Sequence, residues 1–160
     1  MVSARYFVAM FILVSAGVCF AQQNTTTCTL EDGRQVYIRF NSASTKTDHP
    51  ANGRPWTPGG TAMTLFTEAP LTFGGASIPL GAYSVYPFPD RSRWSLAVNK
   101  NVTPGAAYDE KENIARSPIE TDQIPQSGDA LEVAFAHVGN KCTLRIVFGK
   151  AASFAEFTAK

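Results

Sequence analysis

Apolar and polar positions alternate with a period of two along much of this chain. Trp94, Leu96 and Val98 alternate with Ser95, Ala97 and Asn99, the pattern of a strand that buries one face. Met63 and Leu65 alternate with Thr64 and Phe66, and Tyr83 and Val85 with Ser84 and Tyr86, less cleanly. Between these runs stand Gly74-Gly75, Pro79, Gly81, Pro87 and Pro89-Asp90, residues that turn the chain through positive or fixed φ. Residues 61–100 are therefore predicted to form an antiparallel meander.

The same period recurs on both sides. Val36, Ile38 and Phe40 share one face of a run whose other face carries Tyr37 and Arg39. Glu31-Asp32-Gly33-Arg34 precedes it, and Asp-Gly between two such runs predicts a hairpin of Thr25 to Leu30 against Gln35 to Phe40. Its turn is expected to be type I′, with positive φ at both central residues. Leu131, Val133 and Phe135 alternate with Glu132 and Ala134; after Gly139-Asn140, Cys142, Leu144, Ile146 and Phe148 alternate with Thr143, Arg145 and Val147.

Other stretches lack a period. Residues 41–60 hold three prolines and three glycines and read as a long surface loop. Trp56 inside it is expected to fold back over the core, with a ligand contact as the rival role. Asp109 to Arg116 fits a helical turn or two, stopped by Pro118, and residues 117–129 read as an irregular connection. Residues 151–157 are ambiguous, since three alanines favour helix while Phe154 and Phe157 fit neither period. The whole predicts an all-β protein: an antiparallel β-sandwich, jelly-roll-like or a partly closed barrel, of about seven to nine short strands with little helix.

The N-terminus changes the picture. Arg5 is followed by a nearly unbroken apolar run, Tyr6 to Phe20, too short to span a bilayer comfortably. Cys19 and Ala21 hold the two small-residue positions before a cut, so residues 1–21 are expected to be a signal peptide cleaved to leave Gln22 first. A lipid-bearing Cys19 would need a small residue before it, and Val18 stands there. Residues 22–160 then form one exported domain, secreted or periplasmic, with no later segment suited to membrane insertion. Arg5 is the leader's single charge, so the 14 basic and 13 acidic side chains become equal on its removal. A neutral chain without a basic block gives no reason to expect a nucleic-acid partner.

Cys28 shares parity with Leu30, and Cys142 with Leu144, Ile146 and Phe148, so both thiols are expected to point inward. In an oxidising compartment such a pair is read as a disulfide joining the two ends of the chain.

Catalytic patterns are scarce. No G-x-S-x-G elbow is present, Ser77 and Ser84 lie in strand or turn contexts, and His137 reads as a strand-end histidine. Asp48, His49, His137, Asp109 and Glu110 have no recognised metal spacing, and no cofactor is expected. Glu68, Asp109, Glu110 and Glu112 would serve as paired carboxylates if brought together, but read first as solvated charges. What remains is aromatic. Trp56, Tyr86, Trp94 and Tyr108 are the candidate binding residues, with core packing as the competing role for each and for Tyr83. The expected function is a non-catalytic binding or interaction module of the cell envelope, its partner a glycan or an envelope protein. A carbohydrate-binding module using exposed aromatics and a hydrolase with an unrecognised site are the alternatives.

Four segments come in a familiar order: Gly53 to Leu65 (G-R-P-W-T-P-G-G-T-A-M-T-L), Phe73 to Tyr86, Trp94 to Lys100 and Ala107 to Arg116. The most specific pieces are G-G-x-x-I-P-x-G-x-Y-S-V-Y and W-x-L-x-V-N-K. In these the chain resembles the bacterial exported proteins grouped as domain of unknown function 2911, from about Gln35 to the end. The resemblance implies a compact β-rich domain behind a signal peptide and a strand as the last segment; it implies no activity. Two departures stand out: W-T-P-G-G-T at Trp56 to Thr61 lacks the arginine of the usual W-R-T-G-A-N, and Pro104 to Ala107 lacks a commonly expected Trp.

Overall fold

The structure, a computed structural model, describes residues 23–160. The expected leader, its cut after Ala21 and the Cys19 alternative lie outside the described residues. In chain order the strands are β1 (Gln23–Thr29), β2 (Gln35–Asn41), β3 (Met63–Thr67), β4 (Leu71–Phe73), β5 (Ala76–Ile78), β6 (Gly81–Phe88), β7 (Ser95–Asn99), β8 (Asn113–Pro118), β9 (Glu120–Val138) and β10 (Lys141–Ala159). They make a six-stranded sheet, β1-β2-β3-β6-β7-β8, and a four-stranded sheet, β5-β4-β10-β9, antiparallel throughout. The sheets pack as a sandwich and do not close into a barrel.

The period-two pattern explains the packing. Val36, Ile38, Met63, Leu65, Val85, Leu96 and Val98 leave the inner face of the larger sheet fully buried. Leu71, Ile78, Leu144, Ile146 and Phe157 meet them from the smaller one. Each such side chain contributes about 1.5–3 kcal/mol on leaving water. Cys28 and Cys142 form a disulfide inside this layer, with Cα atoms 6.0 Å apart, tying β1 to β10 across the two sheets.

Four expectations are corrected. The first hairpin exists, but its turn is not type I′. Leu30 N donates to Arg34 O and Gly33 N to Leu30 O, and only Gly33 takes positive φ, so a three-residue loop with one left-handed glycine closes it. The type I′ signature belongs instead to Gly74-Gly75, both at positive φ between Phe73 and Ala76. That hairpin also breaks the meander. β4 and β5 leave the larger sheet and join β10, while β3 pairs directly with β6.

Residues 109–116 give one 3-10 turn, Glu110–Glu112, and then strand β8, because Asn113 is already extended and Ala97, Val98 and Leu96 offer a pairing edge. Residues 117–129 are largely strand as well: Glu120 to Gln123 pair with Phe154 to Ala151. Residues 151–157 resolve to strand, as the family resemblance implied. Their period fails because Ala152 and Ser153, neighbours on opposite faces, are both buried. β8 helps bring the strands to ten, above the seven to nine expected, while the other segments lengthen β9 and β10.

Candidate functional site

On β6 both faces are covered. Val85 faces the main core, while Ser84, Tyr86 and Phe88 face outward and are nonetheless buried. Loop 100–112 covers them. Tyr108 packs edge-on against Tyr86 at 4.9 Å and Phe88 at 5.4 Å between ring centroids, and Arg116 lies 4.0 Å over the Phe88 ring while pairing with Glu110. Tyr86, Phe88 and Ala97, with Ala62 and Tyr108, thus form a second apolar cluster on the outside of the larger sheet.

A polar ladder holds that loop. The Asn99 amide, 1% exposed, donates to Asp109 O (2.8 Å) and Asn113 Oδ1 (3.0 Å), and Asn113 Nδ2 donates to the Tyr108 hydroxyl (2.6 Å). Asn101 N donates back to Asn99 Oδ1, and Ser84 Oγ donates to Asn101 O. With these groups satisfied, the position of Tyr108 is fixed before anything binds.

Opposite stands the end of loop 41–60. The Asp48 carboxylate accepts from Trp56 Nε1 (2.9 Å) and Gly59 N (3.0 Å), and Trp56 N donates to Pro87 O. Gly59 has φ +63, and a Cβ there would stand 2.4 Å from Ser42 O, so only glycine allows this close return. Asn41 Nδ2 donates to Thr61 Oγ1 at the same wall.

Between the walls lies a groove of about 510 Å³. Thr64, Ser84 and Tyr86 form its floor, Thr57 and Thr61 one side, Val102 to Tyr108 the other, and Gln23 and Asn41 one end. The lining carries no carboxylate, amine, guanidinium, imidazole or thiol. Its only titratable groups are two phenols. Burial pushes Tyr86 above the ordinary 10, with Ser84 opposing by hydrogen bonding.

The four aromatic candidates divide in two. Tyr86 and Tyr108 line the groove. Trp56 and Trp94, 5% and 4% exposed, are packed into the main core, edge to face at 6.1 Å, with Phe148 4.6 Å from Trp56. Neither tryptophan offers a ring face to a ligand. Both take the core-packing role that competed with binding, and for Trp56 this is the expected fold back over the core. Tyr83 is buried too, its hydroxyl donating to Pro79 O.

The polar candidates are dispersed. Glu68 accepts from Gln35 N and Asp109 from Lys111 N, Glu110 pairs with Arg116 and Glu112 with Lys100, so each of the four has a local partner. His49 is an exposed loop residue and His137 an exposed strand residue whose Nε2 faces Gly139 O. Among the described residues no group of three His, Cys, Asp or Glu is placed to hold a metal ion. Sequence reasoning missed Thr64, the Asn99–Asn113 ladder and the Val102–Ala107 wall. Thr64, Ser84 and Tyr86 were findable, since all three sit at the outward positions of alternating runs.

The two positions where the chain departs from the pattern it resembles, Thr57 and Pro104 to Ala107, both line this groove. A family described as "Protein of unknown function (DUF2911)" matches residues 22–155. No curated protein and no solved structure matches the chain.

Proposed function

The chain belongs to the DUF2911 family, whose description gives no activity, and from that premise we propose that it is an exported, non-catalytic binding module. The outer groove is its site, and its ligand is rich in hydroxyl groups, as a carbohydrate is. The observation that carries this reading is the lining itself. Hydroxyls of Thr57, Thr64 and Tyr86, the Gln23 and Asn41 amides and the Tyr108 ring surround about 510 Å³ with no charge. General acid–base work at neutral pH is mostly done by imidazole or carboxylate groups, and the lining holds neither. Hydroxyl and amide rims with aromatic edges instead suit the alternating polar and C–H surfaces of a sugar. The disulfide accords with an oxidising compartment, hence with export.

A thermal-shift screen of soluble oligosaccharides tests the reading, because a ligand of the folded state raises its midpoint. The expected result is a shift with at least one glycan that disappears in Tyr108→Ala. Shifts that persist in that variant, or turnover in a hydrolase panel, would overturn it.

A further inference from the structure

The groove does not end in featureless surface. Its floor belongs to a row of outward side chains running across the larger sheet, in register: Ser84 opposite Thr64, Thr64 opposite Arg39, and Arg39 opposite Thr25. Adjacent strands stand about 4.8 Å apart, so Arg39 is the next step beyond the Thr64 floor. The neighbouring row places Tyr37 opposite Phe66, and these rings stack at 4.7 Å between centroids, 11° from parallel. The Arg39 guanidinium rests over both, 4.9 Å from the Phe66 ring and 5.6 Å from Tyr37.

Arg39 is set apart from the other cations without an ion pair by the aromatic rings that hold it next to the groove floor. Arg34, Lys46, Lys100, Arg116, Lys141 and Arg145 each meet a carboxylate. Arg39 has no ion pair among the described residues, is exposed, and is held by aromatic faces that leave its donor fork free. The acid nearest in the strand pattern, Glu68, is occupied with Gln35 N. A held, unpaired guanidinium beside an uncharged hydroxyl-lined groove is complementary to a ligand that is mostly hydroxyl and partly carboxylate.

We propose that Arg39 reads a carboxylate on the ligand, and that the ligand is an acidic polysaccharide, a chain of uronic acid units lying across the strands from the groove to the Tyr37–Phe66 pair. This rests on the groove reading above and specifies its substrate class. The tyrosine-edged groove takes the uncharged part of the chain, and the guanidinium takes a carboxylate of an adjoining unit in bidentate fashion. A peptide fits less well. The floor strands are paired on both sides, so no edge is open to it, and the lining offers hydroxyls rather than an apolar pocket.

Calorimetric titration with oligomers of polygalacturonate and of alginate, each compared with its methyl ester, tests this. Esterification keeps the sugar and removes the charge. At least one acid form should bind tenfold or more tightly than its ester, and added salt should reduce that difference. Arg39→Gln, an exposed change that leaves the melting midpoint in place, should bring acid and ester to the same affinity. Arg39→Lys should recover part of the preference, because it keeps charge but not the planar fork. Equal binding of acid and ester by the unaltered protein, or unchanged discrimination in Arg39→Gln, would overturn the proposal and leave the groove reading standing. Discrimination that depends on Arg39 but not on Tyr108 would overturn the groove reading and, with it, the path of the ligand from the groove to the Tyr37–Phe66 pair. Failure of both acids to bind would overturn the acidic substrate class, with the groove still judged by its own oligosaccharide screen.

Discussion

Two aromatic clusters border the same sheet and have opposite fates. Trp56, Trp94 and Phe148 pack into the layer between the sheets, where the disulfide also lies. Tyr86, Phe88 and Tyr108 pack on the outside, under a loop rather than under a second sheet. In the inner cluster Asp48 takes the Trp56 indole N–H. The outer cluster keeps two hydroxyls at a groove, Tyr86 on its floor and Tyr108 on its wall. Covering aromatics with a sheet makes core; covering them with a loop pinned by asparagines leaves a cleft at the loop's edge.

Perturbing the inner side should produce the largest losses. Changing Cys28 and Cys142 together to Ala removes a cross-link over a separation of 114 residues, worth about 4–5 kcal/mol in the chain-entropy model. Chemical denaturation of the double variant should show a drop of that order. Trp94→Ala should cost about 3–5 kcal/mol by leaving a cavity among Trp56 and its neighbours. Tyr108→Ala, half-buried, should cost less, about 1–2 kcal/mol. Equal losses at Trp94 and Tyr108 would merge the two clusters into one core and remove the basis for calling the outer one a site.

Asp48→Ala sharpens the comparison, since it touches both sides at once. It strips the acceptor from the Trp56 indole and from Gly59 N, at a cost of about 1–3 kcal/mol, and loosens the groove wall. Amide exchange should rise at Gly59 while the Asn99–Asn113 side stays protected. The smallest effect is on the alkaline limb. Burial holds the Tyr86 phenol above 10, so the folded protein keeps a proton that the unfolded chain has begun to lose. That stabilisation is complete below pH 10 and disappears as pH rises through the folded-state value. Tyr86→Phe should therefore fall off less steeply above pH 10 in denaturation midpoints.

The inner side was legible because alternation reports burial directly. Val36 to Phe40, Trp94 to Val98 and Cys142 to Phe148 each declare an inward face, and the disulfide follows from their parity. The outer side was less so. Tyr86 stands out as an aromatic, but its burial on an outward face depends on Tyr108 returning from twenty-two residues later. Trp56 was legible as a residue of two possible roles; the Asp48 bond that commits it to the core lies in a loop without period. The first part of β9 escaped for a related reason, although its end at Leu131 to Phe135 was read as strand. From Glu120 to Gln126 its side chains are mostly polar and exposed, so β10 imposes the pairing and the residues' own pattern does not.

The partition of strands between the sheets also sets an order in time. Every strand of the larger sheet lies between Gln23 and Pro118, so its pairings are available before the last quarter of the chain has emerged. The smaller sheet waits. Its β4 pairs locally with β5 but joins β10 only through Thr72 with Thr158 and Leu71 with Ala159, at the far end of the sequence. Closing so long a loop is the slow kind of step in β folding. Until it closes, Val36, Ile38, Leu65 and Val98 face solvent on an already assembled sheet, the condition in which nascent β chains associate with one another. A chain cut short within β10 is thus a ready-made aggregate.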